Sequence, residues 1–459
     1  MNNTVIENQI LENSTTTRID KFMKENSIYR NLQKSGIIKV RGIPVFRILT
    51  LIFSLVFYGK NWYQFKKVNR EDTAEGKDAV YRLLNEPRFN WEKFLSLVTF
   101  SIVKKISRLT SDLREKVLIV DDSFFDRSKS KNVELLSRVH DHTDNKYKKG
   151  FSLLTLGWSD GFSFIPISFR LLSSRKEEKI LVKPKDIEEK DSPGYLRRIN
   201  ATRSKVELLM EMVLEAKDKH LEFKYLLFDS WFAFPKTIAS FVREEVNIIA
   251  MLKKMPNIRY RYNDRTVNLK ELFSMIKTSW KKGMDSYSVS AELLEKKDGN
   301  LIPVKILFLK NRNKKSDWIS LICTDDKLSD EEIIRIYGKR WDIEVFFKMI
   351  KSYLKLAKEF QGRTYDMLIA HTTIVFLRYI MICDSSRMST DEKSFGDLFF
   401  EYGDEVKDIT LVQALVLLFR QIKIIMENQL FLAEDYINRI LDKLMESLPD
   451  SLRGFIWQN

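Results

Sequence analysis

Cysteine and histidine are both scarce: the 459-residue chain holds two cysteines, Cys323 and Cys383, and four histidines. Two thiols cannot build a disulfide scaffold or a zinc finger, and each lies in an apolar run, so the chain fits a reducing cytosol. His140-Asp141-His142 has the look of metal ligands, yet no third ligand stands nearby, and a structural or solvated role is expected. Long apolar runs are lacking as well. The nearest thing to a membrane span is Ile48 to Phe57, which is about ten residues long, holds Thr50 and Ser54, and has Arg47 on its flank. It reads as a buried helix, and no membrane association is expected. The first residues lack the basic-then-apolar order of a signal peptide, which leaves secretion without support. Repeats and low-complexity tracts are absent too.

What is abundant is positive charge. Seventy-eight Lys and Arg against 63 Asp and Glu give a formal charge of +15. That excess favours a polyanionic partner, because neutralised phosphates release their counterions. A basic soluble enzyme from an A/T-rich genome would show the same balance. The length exceeds what one hydrophobic core usually serves, so two or three units are expected.

Residues 1–110 carry helical patterns broken by Gly42, Pro44, Gly59 and Gly76, and read as a helical, Lys/Arg-rich region suited to DNA contact. From Val117 the pattern turns to strands. Val117-Leu118-Ile119-Val120 is apolar and ends on Asp121-Asp122; Phe151–Trp158 and Phe162–Arg170 flank the turn Ser159-Asp160-Gly161, a hairpin signature. An amphipathic helix follows near 202–219, then the strand Tyr225–Phe228 ending on Asp229, a helix at Pro235–Arg243 and a strand at Val246–Leu252. Three strands, helix, strand, helix, strand is the order of an RNase H-like mixed sheet, in which a right-handed crossover can set the fourth strand beside the first. Two acids far apart in sequence then become neighbours. The α/β catalytic core is drawn as 111–252 and 318–360, interrupted by a β-rich insertion at 253–317, with 361–459 a helical C-terminal region.

Ser329 with Glu332 is a capping box for a long helix through about Leu356. On it Tyr337, Arg340, Glu344 and Lys351 recur at steps of three, four and seven, which keeps them on one face. A phenol, a guanidinium and an ammonium around one carboxylate suit a place beside phosphate and metal. A solvated face with an Arg340–Glu344 ion pair is the plain alternative. Trp341 and Phe347 read as buried anchors of this helix, and His371, on the apolar helix beyond, as a hydrogen-bonded structural histidine. Seven cations from Arg127 to Lys149 form either a DNA track or a solvated hairpin.

Tyr-x2-Arg-x3-Glu-x6-Lys, met here at Tyr337, Arg340, Glu344 and Lys351, resembles the hallmark of bacterial DDE-type insertion-sequence transposases, in the family named after insertion sequence four. The resemblance takes in Ile-Val-Asp-Asp-Ser around Asp121, Leu-Leu-Phe-Asp-Ser-Trp-Phe around Asp229, Cys323-Thr324-Asp325 and Phe360-Gln361-Gly362-Arg363, covering roughly residues 75–400. It implies an RNase H-like core, an all-β insertion, and three acids holding two divalent ions, Mg²⁺ or Mn²⁺, in DNA recombination. By position the acids are Asp121, Asp229 and Glu344, with Asp122 in reserve because Asp121-Asp122-Ser123 satisfies Asp-x-Ser with Asp121. Tyr337, Arg340, Lys348, Lys351 and Trp231 are the implied DNA contacts; Trp231, Phe232, Phe234 and Trp318 otherwise read as core. Double-stranded DNA, as transposon ends and target, is the implied partner. Pairing two ends implies a homodimer, acting in the bacterial cytoplasm. A nuclease or resolvase of the same fold would cut without joining. A domesticated, non-catalytic DNA-binding protein should have lost an acid, and all three are present.

Overall fold

The computed structural model describes residues 18–68, 77–141, 144–277, 285–295, 299–310, 317–360, 362–388 and 393–406, with isolated positions between 418 and 443. In chain order the elements are α1 (Arg18–Glu25), α2 (Ile28–Lys34), α3 (Val45–Ser54), α4 (Trp62–Val68), α5 (Lys77–Asn85) and α6 (Trp91–Arg108). Strands β1 (Val117–Asp126), β2 (Ser137–Asp141), β3 (Lys146–Ser159) and β4 (Phe164–Leu172) follow, then α7 (Pro193–Asn200), α8 (Lys205–Asp218), β5 (Tyr225–Phe228), α9 (Pro235–Arg243) and β6 (Asn247–Met251). The remainder is β7 (Tyr260–Tyr262), β8 (Arg265–Val267), α10 (Leu269–Ile276), β9 (Ser286–Glu295), β10 (Asn300–Lys310), β11 (Trp318–Cys323), α11 (Asp330–Gly338), α12 (Trp341–Ser352) and α13 (Tyr365–Met388).

Backbone contacts divide the chain into two compact units. Of the described residues, the smaller gathers 18–29, 46–68 and 393–406. In it Ile48, Leu49, Ile52 and Phe53 of α3 are buried, Phe53 stacks on Phe22, Phe57 meets Tyr402, and Arg18 pairs with Glu401. The apolar run Ile48–Phe57 is thus core. The larger unit, 30–45 and 75–390, carries the sheet.

That sheet has 11 strands in the order β2-β3-β1-β5-β6-β11-β10-β9-β7-β8, with β4 paired to β3. β1 to β3 and β3 to β4 are antiparallel, whereas β1 to β5 and β5 to β6 are parallel. The architecture is a large mixed sheet, consistent with an RNase H-like fold. Val117–Val120 and Tyr225–Phe228 are buried throughout, as strands covered on both faces must be. Strands β7–β10 join the same sheet, because β10 pairs with β11 and β11 with β6.

The structure departs from two sequence expectations. β1 does not end on the acid pair: it runs on to Asp126 because the 14-residue β3 offers partners as far as Asp126↔Gly150. Its parallel pairing with β5 stops at Ile119, so the acids lie where the sheet opens beside the end of β5. The most membrane-like segment is not Ile48–Phe57 but α13, which is long and apolar enough to cross a membrane; 94% of its most apolar window is buried inside the protein. Buried charge ties α13 into the larger unit: Arg198 of α7 bonds Asp366 (2.7 and 2.9 Å) and Glu134 (2.6 and 3.0 Å), and Arg378 bonds Glu359 (2.8 and 2.9 Å).

Candidate active site

Asp121 and Asp122, as successive strand residues, point to opposite faces of the sheet. Asp121 faces the start of α12: Nη1 of Arg340, just before that helix, donates to its Oδ2 at 3.1 Å, while Nη2 of Arg340 donates to Glu344 one turn on. Asp122 faces the other way, and its Oδ2 accepts from Ser152 Oγ at 2.6 Å and Lys205 Nζ at 2.7 Å. The backbone N–H of Asp122 donates to Asp121 Oδ1 at 2.8 Å.

Asp229 sits just past β5, in an Asx turn where its Oδ1 accepts from the Trp231 N–H at 2.9 Å. Burial, then repulsion from Asp229, pushes the Asp121 carboxyl from the ordinary carboxylate range up to about 7, against the pull of Arg340. The structure thus brings Asp121, Asp229 and, through Arg340, Glu344 into one neighbourhood. Among the described residues no three His, Cys, Asp or Glu side chains form a ready metal cage. The acids present are hard oxygen donors, and Arg340 supplies the counter-charge that two of them need.

The helix bearing Glu344 is not one long helix. The capping box forms as expected, with Glu332 N–H donating to Ser329 Oγ at 3.2 Å and Ser329 N–H to Glu332 Oε2 at 2.8 Å. The helix then breaks at Gly338, Lys339 and Arg340 into α11 and α12, through tight i to i+3 bonds such as Arg340 N–H to Tyr337 O. Gly338 is a weak helix former. Beside it a clamp on Glu115, just before β1, holds the break: Arg335 donates twice to its carboxylate at 2.6 Å, and Lys339 donates to its backbone carbonyl. Arg335 foremost holds the Glu115 carboxyl down at about 2.

Tyr337 lies across the break with its hydroxyl 3.4 Å from the Phe228 carbonyl; burial pushes its phenol up, with the charges of Arg340, Asp229 and Asp121 also acting on it. Lys351 is half-buried and donates to Ser123 Oγ at 2.6 Å, and burial pushes its ammonium down. Lys348 is exposed. Trp231 is half-buried, its ring edge-on to Phe232 and under Lys205 Nζ, 4.8 Å from the ring centroid.

Other expectations fall out differently. Phe347 is buried, but Trp341 is 61% exposed: the break turns the first residue of α12 outward, so Trp341 is no anchor. Phe232 is core, whereas Phe234 is exposed beneath Lys253, and Trp318 stacks on Phe273 with Lys254 4.0 Å above it. His371 is buried, but its Nδ1 stands 3.6 Å from Glu359, beyond a normal hydrogen bond. His140 packs edge-on against Tyr147, and Asp141 accepts from Lys148 at 2.9 Å; His142 lies outside the described residues. Of the seven cations, Lys148 is matched by Asp141 and Asp144, Lys149 donates to the Ser130 carbonyl, and Arg127 lies over Phe125, while Lys129, Lys131, Arg138 and Lys146 are exposed.

Sequence reading missed Lys205, Ser152 and Glu115. A signal existed for Lys205, which occupies the first position of α8. A cation there opposes the helix dipole and asks for a local reason.

No curated protein matches the chain. Two family models do: one described as a DDE superfamily endonuclease matches residues 66–262, and one described as an archaeal putative transposase, ISC1217, matches residues 182–362. Asp121 and Asp229 lie in the first match, Asp229 and Glu344 in the second. DDE superfamily enzymes generally use divalent metal ions and act on DNA. The two overlapping matches support a DDE transposase, and so a nuclease or transposase enzyme, for the region that carries the three acids.

Proposed function

We propose that the chain is a DNA transposase that binds the terminal inverted repeats of its element, cleaves at the ends and joins the 3′-hydroxyls to target DNA. The observation that carries this reading is the Arg340 guanidinium shared by Asp121 and Glu344, beside an Asp229 close enough to perturb Asp121. Acids from three distant parts of the chain meet in one place, which a structural ion pair does not need.

Asp121, Asp229 and Glu344 are the residues that would hold divalent ions, as all-oxygen donors suited to Mg²⁺ or Mn²⁺. When bound, a pair of such ions supplies activation of the attacking oxygen and stabilisation of the leaving one. Arg340 orients Asp121 and Glu344 and balances their charge. Tyr337 packs against the end of β5 and walls the site. Lys348, exposed one turn beyond Glu344, meets DNA phosphate, and Lys351 holds the Ser123 side of β1 in place for the same strand of DNA. Trp231 presents a half-exposed ring next to Asp229. Water is the attacking group at the element end, and the freed 3′-hydroxyl takes its place in joining, so one site serves both steps. Two copies bring two ends together in the bacterial cytoplasm.

The test uses duplexes carrying the inverted repeats that flank the reading frame. Cleavage dependent on Mg²⁺ or Mn²⁺ and joining of a pre-cleaved 3′-hydroxyl end are expected. Cutting without joining would instead favour a nuclease, the reading suggested by the endonuclease description of the first family match.

A further inference from the structure

The acid that faces away from the site has a partner set of its own. Lys205 Nζ lies 2.7 Å from Asp122 Oδ2 and 4.8 Å from the centroid of the Trp231 ring. The same ring makes an edge contact with Phe232, 4.8 Å between ring centroids, and Phe232 is fully buried. The backbone N–H of Trp231 in turn donates to Asp229 Oδ1 at 2.9 Å. Asp122 is itself held by Ser152 on the neighbouring strand at 2.6 Å. Lys205 and Asp122 are both mostly buried, at 20% and 13% side-chain exposure, so this is not a solvent-screened surface pair.

From this chain of contacts we infer that Lys205 is a positioning residue: pinned by Asp122, it holds the Trp231 ring, which also packs on Phe232, and so fixes the turn that aims the Asp229 carboxylate. Three features support the role. A cation at the first position of α8 works against the helix dipole and is compensated by Asp122. An ammonium over an indole face is held by the ring quadrupole, so Lys205 restrains the ring as well as the carboxylate. The Asx turn ties Asp229 Oδ1 to the Trp231 N–H at 2.9 Å, so moving Trp231 moves the acid. The consecutive acids then divide the work. Asp121 belongs to the site on one face of β1, and Asp122 to the bracket on the other.

The inference rests on Asp229 being a metal ligand, and its sign can be read without DNA. Mn²⁺ binding to the full chain, followed by loss of the free-ion EPR signal, is measured for Lys205→Met, Lys205→Arg, Asp122→Asn and Asp229→Asn, each checked for a native thermal melt. If Lys205 acted only through its charge, removing it would tighten cation binding. Positioning demands the opposite: Lys205→Met weakens Mn²⁺ binding by about tenfold or more, the usual cost of losing a residue behind a metal ligand. Lys205→Arg restores most of the affinity. Asp122→Asn weakens it too, and the Lys205→Met/Asp122→Asn double variant is no worse than the weaker single, because both remove one bracket. Unchanged or tighter binding by Lys205→Met, while Asp229→Asn abolishes binding, overturns the bracket alone. Wild-type binding by Asp229→Asn overturns the site reading and the bracket with it.

Discussion

Arg340 donates through one terminal nitrogen to Asp121 and through the other to Glu344, so a single guanidinium links a carboxylate of β1 to one on the helix packed against it. That link spans two elements distant in sequence and makes these two acids a unit rather than separate surface charges, with Asp229 close enough to raise Asp121.

If the unit is catalytic, Asp121→Asn, Asp229→Asn and Glu344→Gln each lower metal-dependent cleavage by about a thousandfold or more, the scale of losing an essential charge-stabilising group. Binding to end DNA stays measurable in a gel-shift assay. Normal cleavage by either of the last two variants removes the mechanism.

Asp121 makes a thermal-melt prediction in chelator. Its folded carboxyl titrates near 7, above the ordinary value of 3.8, because of burial and then Asp229. The folded state therefore keeps a proton that the unfolded chain gives up, and this contribution to stability, whole below about pH 4, is lost as pH rises through 7. Asp121→Asn cannot ionise. Its melting temperature relative to wild type should rise from pH 4 to pH 8; a constant difference would show that Asp121 is not buried against Asp229.

Glu115 behaves in the opposite sense. Its carboxyl is held at about 2, first by the hydrogen bonds from Arg335, so its contribution is present above about pH 4.5 and lost as pH falls through 2. Arg335 is half-exposed, which limits the effect of Glu115→Gln to about 1 kcal/mol in urea unfolding at pH 7. The difference from wild type should shrink at pH 3. Cleavage should fall by more than stability does, because the clamp holds the break that aims Arg340.

The Arg378–Glu359 pair is fully buried. Arg378→Met alone strands a carboxylate and should cost about 3–5 kcal/mol in denaturant unfolding, whereas Arg378→Met with Glu359→Leu should recover most of it. Equal losses by the single and double variants would contradict a buried pair.

For DNA binding, Lys348→Ala should lower the salt slope of end binding by about one, as expected for one phosphate contact. An unchanged slope would place Lys348 off the DNA.

Several elements were readable from residue pattern alone. Tyr225–Phe228 and Pro235–Arg243 fall where their composition puts them, because a buried β run and a Pro-started amphipathic helix are local signals. The break after Gly338 was not readable, since the spacing of Tyr337, Arg340 and Glu344 suits one helix as well as two, and the Glu115 clamp comes from another element. Trp341 was misjudged for the same reason. A tryptophan on an apolar helix is normally an anchor, and only the direction set at the break exposes it.

The choice between Asp121 and Asp122 shows the same boundary. Strand alternation, a property of the covalent chain, dictates that the two carboxylates face opposite sides of the sheet. Which side holds Arg340 and Glu344, and which holds Lys205, depends on β3, α8 and α12 packing around β1. The chain's own order of apolar runs, caps and turns determined a mixed sheet with acids at its strands. Their meeting, and which of the two neighbouring acids faces Arg340 and which Lys205, came only with tertiary packing, because electrostatic partners far apart in sequence leave no periodic mark in it.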